Sequence, residues 1–505
     1  MSLVRSIGRL SAFLRNGPWR AYLDILVVGS GARMFGLASQ FVVLVMLSRL
    51  LPKQSFGDLM TAFGFYRLSG AALGIGGSLV LLFHVSRQRA DRPAEIRLQR
   101  FSALIGAIPS GAIALATVLA AQPIAAALGK PSLAVGLQQL APFVVFTTLL
   151  TITTGALEGR SRVAESIFWG EVAPNGVRMV LLPLVALLHL PAVYVAHVLT
   201  LSVLLPWLWL ARRMASRDVA GWQRWSRWDY SYGGKFVMAT LFANQLGAAD
   251  IVIASLLFSS TTVADYAVAA RLAALFTFFE LALLKRFAPR AGRLLELKDA
   301  AGLQREFEMC RRLAIGCVAI TIAGVLILAP VLLPLLGNYL DARTPLIWLA
   351  IPSLIGAFYA TSDRLLIIAG QANVALVVTA SSFVVLITSP FGLAPWLGPV
   401  AIPAAMILSV VLFNPIVALR ARQLIGVRTL AWRDAILMAC GCTALATAAI
   451  AGSYAAVMIV SALLAAVGAY YVMTALTRSA GEAYDNSLIL AAGTAATPSL
   501  DRVSQ

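Results

Sequence analysis

Charged residues are scarce in this sequence. Only 12% of its 505 residues are Asp, Glu, Lys or Arg, whereas 60% are hydrophobic. Because a soluble domain is about one quarter charged and about half apolar, this composition excludes a water-soluble globule. At about 20 apolar residues per bilayer crossing, the chain has room for roughly a dozen transmembrane helices. We therefore predict an all-α polytopic membrane protein with almost no soluble part.

Cysteine and histidine are also rare, with 4 and 3 residues. The cysteines fall in or beside apolar stretches, and no histidine has a neighbour at the spacing of a metal site or a catalytic triad. We therefore expect no disulfide, no metal and no other cofactor. The Walker lysine motif is missing, and the glycine-rich run Gly74–Gly77 has no strand before it, so neither indicates a nucleotide site. We expect a protein that is not an enzyme.

Long apolar runs dominate what is present. A 19-residue hydropathy window indicates about 14 spans, approximately 22–48, 57–84, 101–121, 138–158, 164–188, 191–211, 233–258, 262–284, 313–336, 345–367, 373–395, 398–419, 435–453 and 455–476. We expect an amphipathic N-terminal segment (1–21), an N-lobe of six spans (22–211), a cytoplasmic linker (212–232), a C-lobe of six spans (233–419), two further spans (435–476) and a polar C-terminal tail (477–505).

The basic residues lie mostly on one side of these spans. The chain has 40 Lys and Arg against 22 Asp and Glu; with both termini cytoplasmic, 32 of the 40 are on the inner side and only Arg49, Lys53, Lys130 and Arg343 are in outer loops. Cytoplasmic loops of membrane proteins collect Lys and Arg. The asymmetry predicts cytoplasmic termini and explains the net charge of +18 without nucleic acid as a partner.

A weak internal repeat relates the two lobes. The segment Phe56-Gly57-Asp58-Leu59 recurs as Val263-Ala264-Asp265-Tyr266, about 207 residues later, and Gly159-x3-Val163-Ala164 recurs as Gly370-x3-Val374-Ala375, 211 residues later. Both offsets relate spans of the same orientation. Six spans plus six in parallel repeats is an architecture of transporters, so spans 13 and 14 are expected outside the transport core.

Four arginines fall inside predicted spans: Arg33, Arg67, Arg178 and Arg271. From the rise of 1.5 Å per residue, Arg33, Arg67 and Arg271 lie roughly 14 to 17 Å deep, near the midplane, and Arg178 lies nearer the outer face. Charges at this depth normally face the bundle interior or a water-filled cavity. The four arginines predict a cationic, anion-binding cavity between the lobes.

The alternative is that each arginine pairs with an interior carboxylate, for which the acids inside the spans are Glu165, Glu171, Asp250, Glu280 and Asp363. Their depths argue against complete pairing, because only Glu171 lies at an intermediate depth. Glu171, Asp250 and Asp363 are also the candidate ion-coupling residues, although Asp363 beside Arg364 favours a local pair at a helix end.

The linker contains Trp222, Trp225 and Trp228 at helical spacing, interleaved with Arg224 and Arg227. This pattern favours a helix that lies in the membrane interface over a site for a specific lipid headgroup.

Two stretches resemble a known family. Ser48-Arg49-Leu50-Leu51-Pro52-x3-Phe56-Gly57 is similar to the opening signature of polysaccharide flippases (Wzx-like) in the multidrug/oligosaccharidyl-lipid/polysaccharide (MOP) exporter superfamily. The stretch from Asp250 through Asp265-Tyr266 to Ala270-Arg271-Leu272, followed by Ala288-Pro289-Arg290, resembles the second half of the same family. The resemblance covers roughly residues 20 to 476.

The resemblance implies two six-helix lobes that alternate between inward-open and outward-open states. It also implies that cavity cations hold the pyrophosphate of an undecaprenyl-linked oligosaccharide while the lipid tail stays in the membrane. Arg33, Arg67 and Arg271 are the positions for that role. The expected setting is the bacterial inner membrane, and the expected partners are a lipid-linked saccharide, membrane lipids and the polymerase and export machinery of a surface polysaccharide or exopolysaccharide.

Two other functions remain open. A multidrug or cation antiporter of the same superfamily should line its cavity with carboxylates, which three midplane arginines disfavour. A membrane polysaccharide polymerase or ligase should have a long outer loop, and no predicted outer loop is long enough to form a domain.

Overall fold

The structure is a computed structural model, and it describes residues 30–87, 92–160, 162–191, 193–214, 221–231, 233–234, 237, 246–337, 339–429 and 432–495. These residues are almost entirely helical and include no strand. The predicted amphipathic segment, residues 1–21, lies outside the described residues.

The first half contains the helices α1 (Ser30–Leu50), α2 (Lys53–Arg87), α3 (Arg92–Ala127), α4 (Pro131–Gly159), α5 (Val163–Ile167), α6 (Ala173–Leu187) and α7 (Val193–Met214). A π-helical turn, Phe168–Val172, joins α5 to α6. Pro174 explains this turn, because proline has no N–H to donate to the carbonyl four residues earlier. Predicted span 5 (164–188) is therefore interrupted by a π-helical turn just before the proline.

The second half contains α8 (Leu246–Leu257), α9 (Ser260–Ala273), α10 (Phe278–Glu296), α11 (Ala300–Leu335), α12 (Arg343–Ile368), α13 (Ala372–Leu397) and α14 (Ala401–Ile425). The last two helices are α15 (Trp432–Ala451) and α16 (Tyr454–Ala495), so α16 continues beyond the predicted end of span 14.

Ten helical segments of the described residues are long and apolar enough to cross a membrane. One of them, Leu376–Ile425, comprises α13 and α14, which separate at Gly398, where φ is 54°. The structure therefore supports an all-α membrane protein, while the count of 14 spans is not established.

Predicted span 8 (262–284) is not one helix. The chain forms a tight turn over residues 274–277, so α9 ends at Ala273 and α10 begins at Phe278. Discontinuous backbone at membrane depth is tolerated where it is buried in protein or lines a cavity. The break places Arg271 in the last turn of α9, where the helix dipole favours a positive charge.

Glycines allow α2 to approach α4 closely. A Cβ on Gly74 would lie 2.7 Å from Thr151 Cβ, and Gly70 faces Thr147 in the same way. Small residues four apart permit such contacts between membrane helices. The α4 threonines Thr147 and Thr151, against which these glycines pack, line the same cavity as Arg67.

The starts of α2 and α9 meet in a reciprocal contact between the two halves. Ser260 Oγ donates to Asp58, whereas Lys53 pairs with Asp265 at 2.8 Å. With the 207-residue offset, Asp58 is equivalent to Asp265 and Lys53 to Ser260, so each equivalent acid contacts the other half at an equivalent position. Such reciprocity is the mark of a two-fold interface. We call these four residues the cross-half latch.

Gly57 makes the latch possible, because a Cβ there would lie only 1.9 Å from the carbonyl oxygen of Ser260. Two further cations seal the same end. Lys130 Nζ donates to the Ser255 carbonyl at 2.5 Å and Arg49 Nε to the Leu335 carbonyl at 2.7 Å. Burial lowers the pKa of Lys130, and the nearby Asp58 carboxylate partly offsets that effect. Three of the four cations predicted in outer loops therefore bind the opposite half.

The final two helices pack firmly on the second half. Gly316 of α11 and Gly468 of α16 lie so close that a Cβ on either would approach the other's carbonyl oxygen to 2.8 Å. Arg311, which is only 1% exposed, donates to Asp434 at 2.7 Å and to the Thr429 carbonyl at 2.5 Å. The two helices are thus fastened to α11 by a buried ion pair.

The prediction that the linker forms an interfacial helix is wrong. Residues 221–226 are not helical, and only 227–231 form a short helix. Trp225 Nε1 instead donates to Ser102 Oγ of α3 at 3.0 Å, and Asp229 accepts from His84 Nε2 of α2 at 2.6 Å. Burial alone would raise the pKa of Asp229, but the hydrogen bonds from His84 and Ser226 outweigh it and lower the pKa. These contacts dock the linker against the first half.

Candidate functional site

Three of the four predicted arginines line one cavity of about 360 Å³. Arg67 comes from α2, Arg178 from α6 and Arg271 from α9, so the second half contributes one of the three charges. Arg67 is exposed to the cavity, and Arg178 and Arg271 are half-buried. The fourth, Arg33, belongs to α1, but its side chain lies outside what the structure describes.

None of these three guanidinium groups lies within 4.0 Å of a carboxylate of a described residue. Glu165 instead pairs with Arg162 and Arg213 at the surface, and Asp250 accepts from Tyr266 Oη at 3.0 Å. The alternative prediction, that each arginine pairs with an interior acid, is therefore not met by these three arginines in the described residues.

Among the described residues, Glu171 is the only acid that lines this cavity. It lies in the π-helical turn, and its backbone carbonyl accepts a hydrogen bond of 2.9 Å from Asn175 Nδ2. With three arginines and one glutamate, the described lining has an excess of positive charge. Several positive charges held close together in a partly enclosed site favour the binding of an anion.

Arg178 is held by neutral partners. Its Nε donates to Ser202 Oγ at 2.9 Å, and its Nη1 donates to Asn175 Oδ1 at 3.2 Å. These contacts fix the side chain and leave its charge uncompensated. Arg178 and Arg271 also approach the ring of Phe63, with their Cζ atoms 5.6 and 6.0 Å from its centroid.

A second cavity, of about 530 Å³, lies within the second half. Its lining includes Asp250, Glu280 and Asp363, so two of the three candidate ion-coupling residues share it, and Glu171 does not. One carboxylate oxygen of Glu280 is buried without a hydrogen-bond partner. Among the described residues, no three His, Cys, Asp or Glu side chains are arranged to hold a metal ion.

Several residues that line the cavity or bind its arginines are not singled out by the sequence analysis. Phe63 precedes Arg67 by four residues and Asn175 precedes Arg178 by three, so helical spacing places each on the face of its arginine. That spacing was a usable signal for both residues. Ser202 gives no such signal, because it reaches Arg178 from α7.

The fold and the cavity describe a polytopic helical membrane protein with a cationic chamber, and solved structures share its fold. One, described as the inward-facing conformation of a multidrug resistance MATE family transporter of the MOP superfamily, matches at 15% identity over 77% of this chain and 94% of its own, with a TM-score of 0.65. The structure described as an outward-facing conformation of a transporter of that family matches at 17% identity over 82% and 97%, with a TM-score of 0.58.

A MOP superfamily transporter from Pyrococcus furiosus, whose description states that reverse polarity of its binding pocket suggests a different function, matches at 16% identity over 83% of this chain and 98% of its own, with a TM-score of 0.59. No family model matches the sequence. No curated protein matches it either. The chain therefore has the fold of MATE transporters of the MOP superfamily.

Proposed function

We propose that this protein is a flippase that moves a lipid-linked oligosaccharide of the undecaprenyl-pyrophosphate type across the membrane by alternating access. One observation carries the proposal: Arg67, Arg178 and Arg271 surround one cavity, and none of them forms an ion pair with a carboxylate of the described residues. Guanidinium remains charged and offers forked donors that match phosphate oxygens. A pyrophosphate would balance the excess of positive charge in this lining.

The position of the cavity suits a substrate that moves between two lobes. Arg271 comes from the second half and the other two arginines from the first, so a bound pyrophosphate would contact both halves. The cross-half latch closes one end of the molecule, which we assign as the outer end from the charge asymmetry of the loops. In this assignment the protein is inward-facing, in the bacterial inner membrane, with cytoplasmic termini.

The second cavity supports a separate proposal for the driving force. Asp250 and Asp363, together with Glu280, would take up a proton or another cation there. Glu171 would take up a proton or cation in the arginine cavity. Neutral replacements such as Asp363→Asn should reduce transport without weakening binding of the pyrophosphate.

A multidrug exporter is the second candidate. The acid-lined cavity of the second half favours it, because cationic drugs seek carboxylates. The arginine cavity disfavours it, because a cationic drug there would meet three like charges. We also propose that the flippase has no enzymatic activity and that it works together with polysaccharide polymerisation and export machinery.

The experiment is neutralisation of the cavity charges. Arg67→Gln, Arg178→Gln and Arg271→Gln should each lower export of the lipid-linked saccharide, since losing a charged hydrogen bond weakens binding roughly 10- to 100-fold. Lys should restore part of the activity wherever charge alone matters. Arg213→Gln is the control, because Arg213 lies at the surface beside Glu165.

Membrane abundance must be measured beside saccharide accumulation. An arginine with only a structural role would lower abundance in step with export. Abundant variants with normal export would overturn the proposal, and increased drug sensitivity in the same variants would favour the multidrug exporter.

A further inference from the structure

Phe63 stands out within the cavity because it is an apolar residue beside two charges. It lies on α2, one turn before Arg67, and only 8% of it is exposed. Arg178 from α6 and Arg271 from α9 both point over its ring. One aromatic side chain therefore links cations that belong to different halves of the molecule.

The two contacts fall within the range of cation–π attraction, since both Cζ atoms are within 6.0 Å of the ring centroid. The negative face of an aromatic ring attracts a guanidinium, and the attraction grows when the pair is removed from water. The ring thus offsets part of the cost of placing like charges together without neutralising them. A carboxylate at this place would hold the arginines too, but it would cancel the charge that an anion needs.

We propose that Phe63 is a positioning residue for the anion site, whose ring holds the guanidinium groups of Arg178 and Arg271 in place for a pyrophosphate. The inference rests on the proposed function for the identity of the anion. Its geometric part, the alignment of the two guanidinium groups by the ring, is independent of any substrate.

The phenyl ring itself is held by its neighbour Phe143, with ring centroids 5.1 Å apart and planes inclined at 46°. The matched control is Phe146, which lies on the same helix as Phe143 and has the same side-chain volume. Its ring packs against Trp207, with centroids 5.6 Å apart, and among the described residues no guanidinium contacts it.

The first measurement needs no substrate. In protein labelled with ¹⁵N-arginine in nanodiscs, the Nε–H resonances of Arg178 and Arg271, assigned from their loss in lysine variants, should shift in Phe63→Leu. They should stay in place in Phe146→Leu. Unchanged arginine resonances in a folded Phe63→Leu protein would overturn the inference, whatever the protein transports.

The second measurement uses undecaprenyl pyrophosphate in the same nanodiscs as the probe. Phe63→Leu keeps an apolar side chain but loses the ring, so its Kd should rise roughly tenfold relative to wild type, as expected for the loss of one or two cation–π contacts. Phe63→Tyr keeps the ring and should restore binding. In an Arg178→Gln background the effect of Phe63→Leu should shrink, because one of its two targets is gone.

The two hypotheses fail in different ways. If wild type does not bind the probe while the arginine resonances still shift in Phe63→Leu, the flippase proposal fails and the positioning role stands. If wild type binds and Phe63→Leu binds equally well at equal abundance, Phe63 is only a packing residue.

Discussion

The ion pair between Arg311 and Asp434 gives a direct test of how firmly the last two helices belong to the second half. The pair is buried, with side-chain exposures of 2% and 9%. Asp434 Oδ1 also accepts from Tyr471 Oη of α16 at 3.0 Å. One carboxylate therefore joins three helices. Asp434→Leu would remove the one carboxylate that accepts from both the buried Arg311 guanidinium and the buried Tyr471 hydroxyl.

The expected cost follows from these contacts. Removing one partner of a buried ion pair destabilises a protein by about 3–5 kcal/mol, because the other charge remains buried and uncompensated. The Thr429 carbonyl still accepts from Arg311, which favours the lower end of that range. Replacing both partners by apolar residues, as in Arg311→Met with Asp434→Leu, should cost much less than the two single changes combined, since no charge is then left in the interior.

A melting experiment with a thiol-reactive dye suits this region. Cys310, Cys317 and Cys442 are buried or half-buried in α11 and α15, so they react when these helices separate. We expect Asp434→Leu to lower the apparent melting temperature by roughly 5 °C or more and to lower membrane abundance. The control is Arg162→Gln, which breaks an exposed pair worth less than about 1 kcal/mol.

Two results would refute the reasoning: a single variant that melts like wild type, or a double variant that is no more stable than the singles. The same contacts bear on a truncation after Arg433. Such a chain would lose Asp434 and expose the α11 surface around Gly316, so we expect poor insertion even if the missing helices take no part in transport.

Two further predictions concern closure and orientation. Gly57→Val should force the latched end apart, because no side chain fits against the Ser260 carbonyl. Spin labels at the exposed positions Gln54 and Thr261 should then report a longer distance between the two halves. Transport should also fall. In a cysteine-free background, Asp341→Cys should react with an impermeant thiol reagent from outside the cell, and Ala300→Cys should react only after permeabilisation.

Each of these has its own check. Gly136→Ala tests the general effect of filling a helical glycine, since a Cβ there would meet Ala62 Cβ at an ordinary 3.5 Å. An unchanged spin-label distance in Gly57→Val would show that the latch is not tight. Labelling of the Ala300→Cys variant in intact cells would contradict the predicted orientation.

Composition and periodicity were sufficient for the all-α membrane fold, because apolar runs have few alternatives in a bilayer. The 207-residue repeat also predicted a real relation, since Asp58 and Asp265 occupy equivalent places in the latch. The break after Ala273 was beyond hydropathy, because the turn is as apolar as the helices that flank it. The linker was misjudged for a similar reason: tryptophan spacing alone does not distinguish a lipid interface from the α3 surface that Trp225 contacts.

The arginine cavity was only partly predictable. The scarcity of charge within spans singled out Arg67, Arg178 and Arg271, because a buried guanidinium is too costly to be placed without a reason. Which acids would be near them depended on helix rotation, and this could not be derived from depth alone. The hydrogen bond between Arg178 and Ser202, which lies on another helix, also depends on helix rotation.

The two arms of the cross-half latch are not identical. In two identical modules, each acid would meet the same residue of its partner, but here Asp58 meets Ser260 and Asp265 meets Lys53. The Asp58 arm is buried and has a neutral donor, whereas Lys53 is partly open to solvent. Salt screens exposed ion pairs far more than buried hydrogen bonds, so a higher ionic strength would loosen the Lys53–Asp265 arm and leave the Ser260–Asp58 arm intact. The latch therefore has one salt-sensitive arm and one salt-insensitive arm.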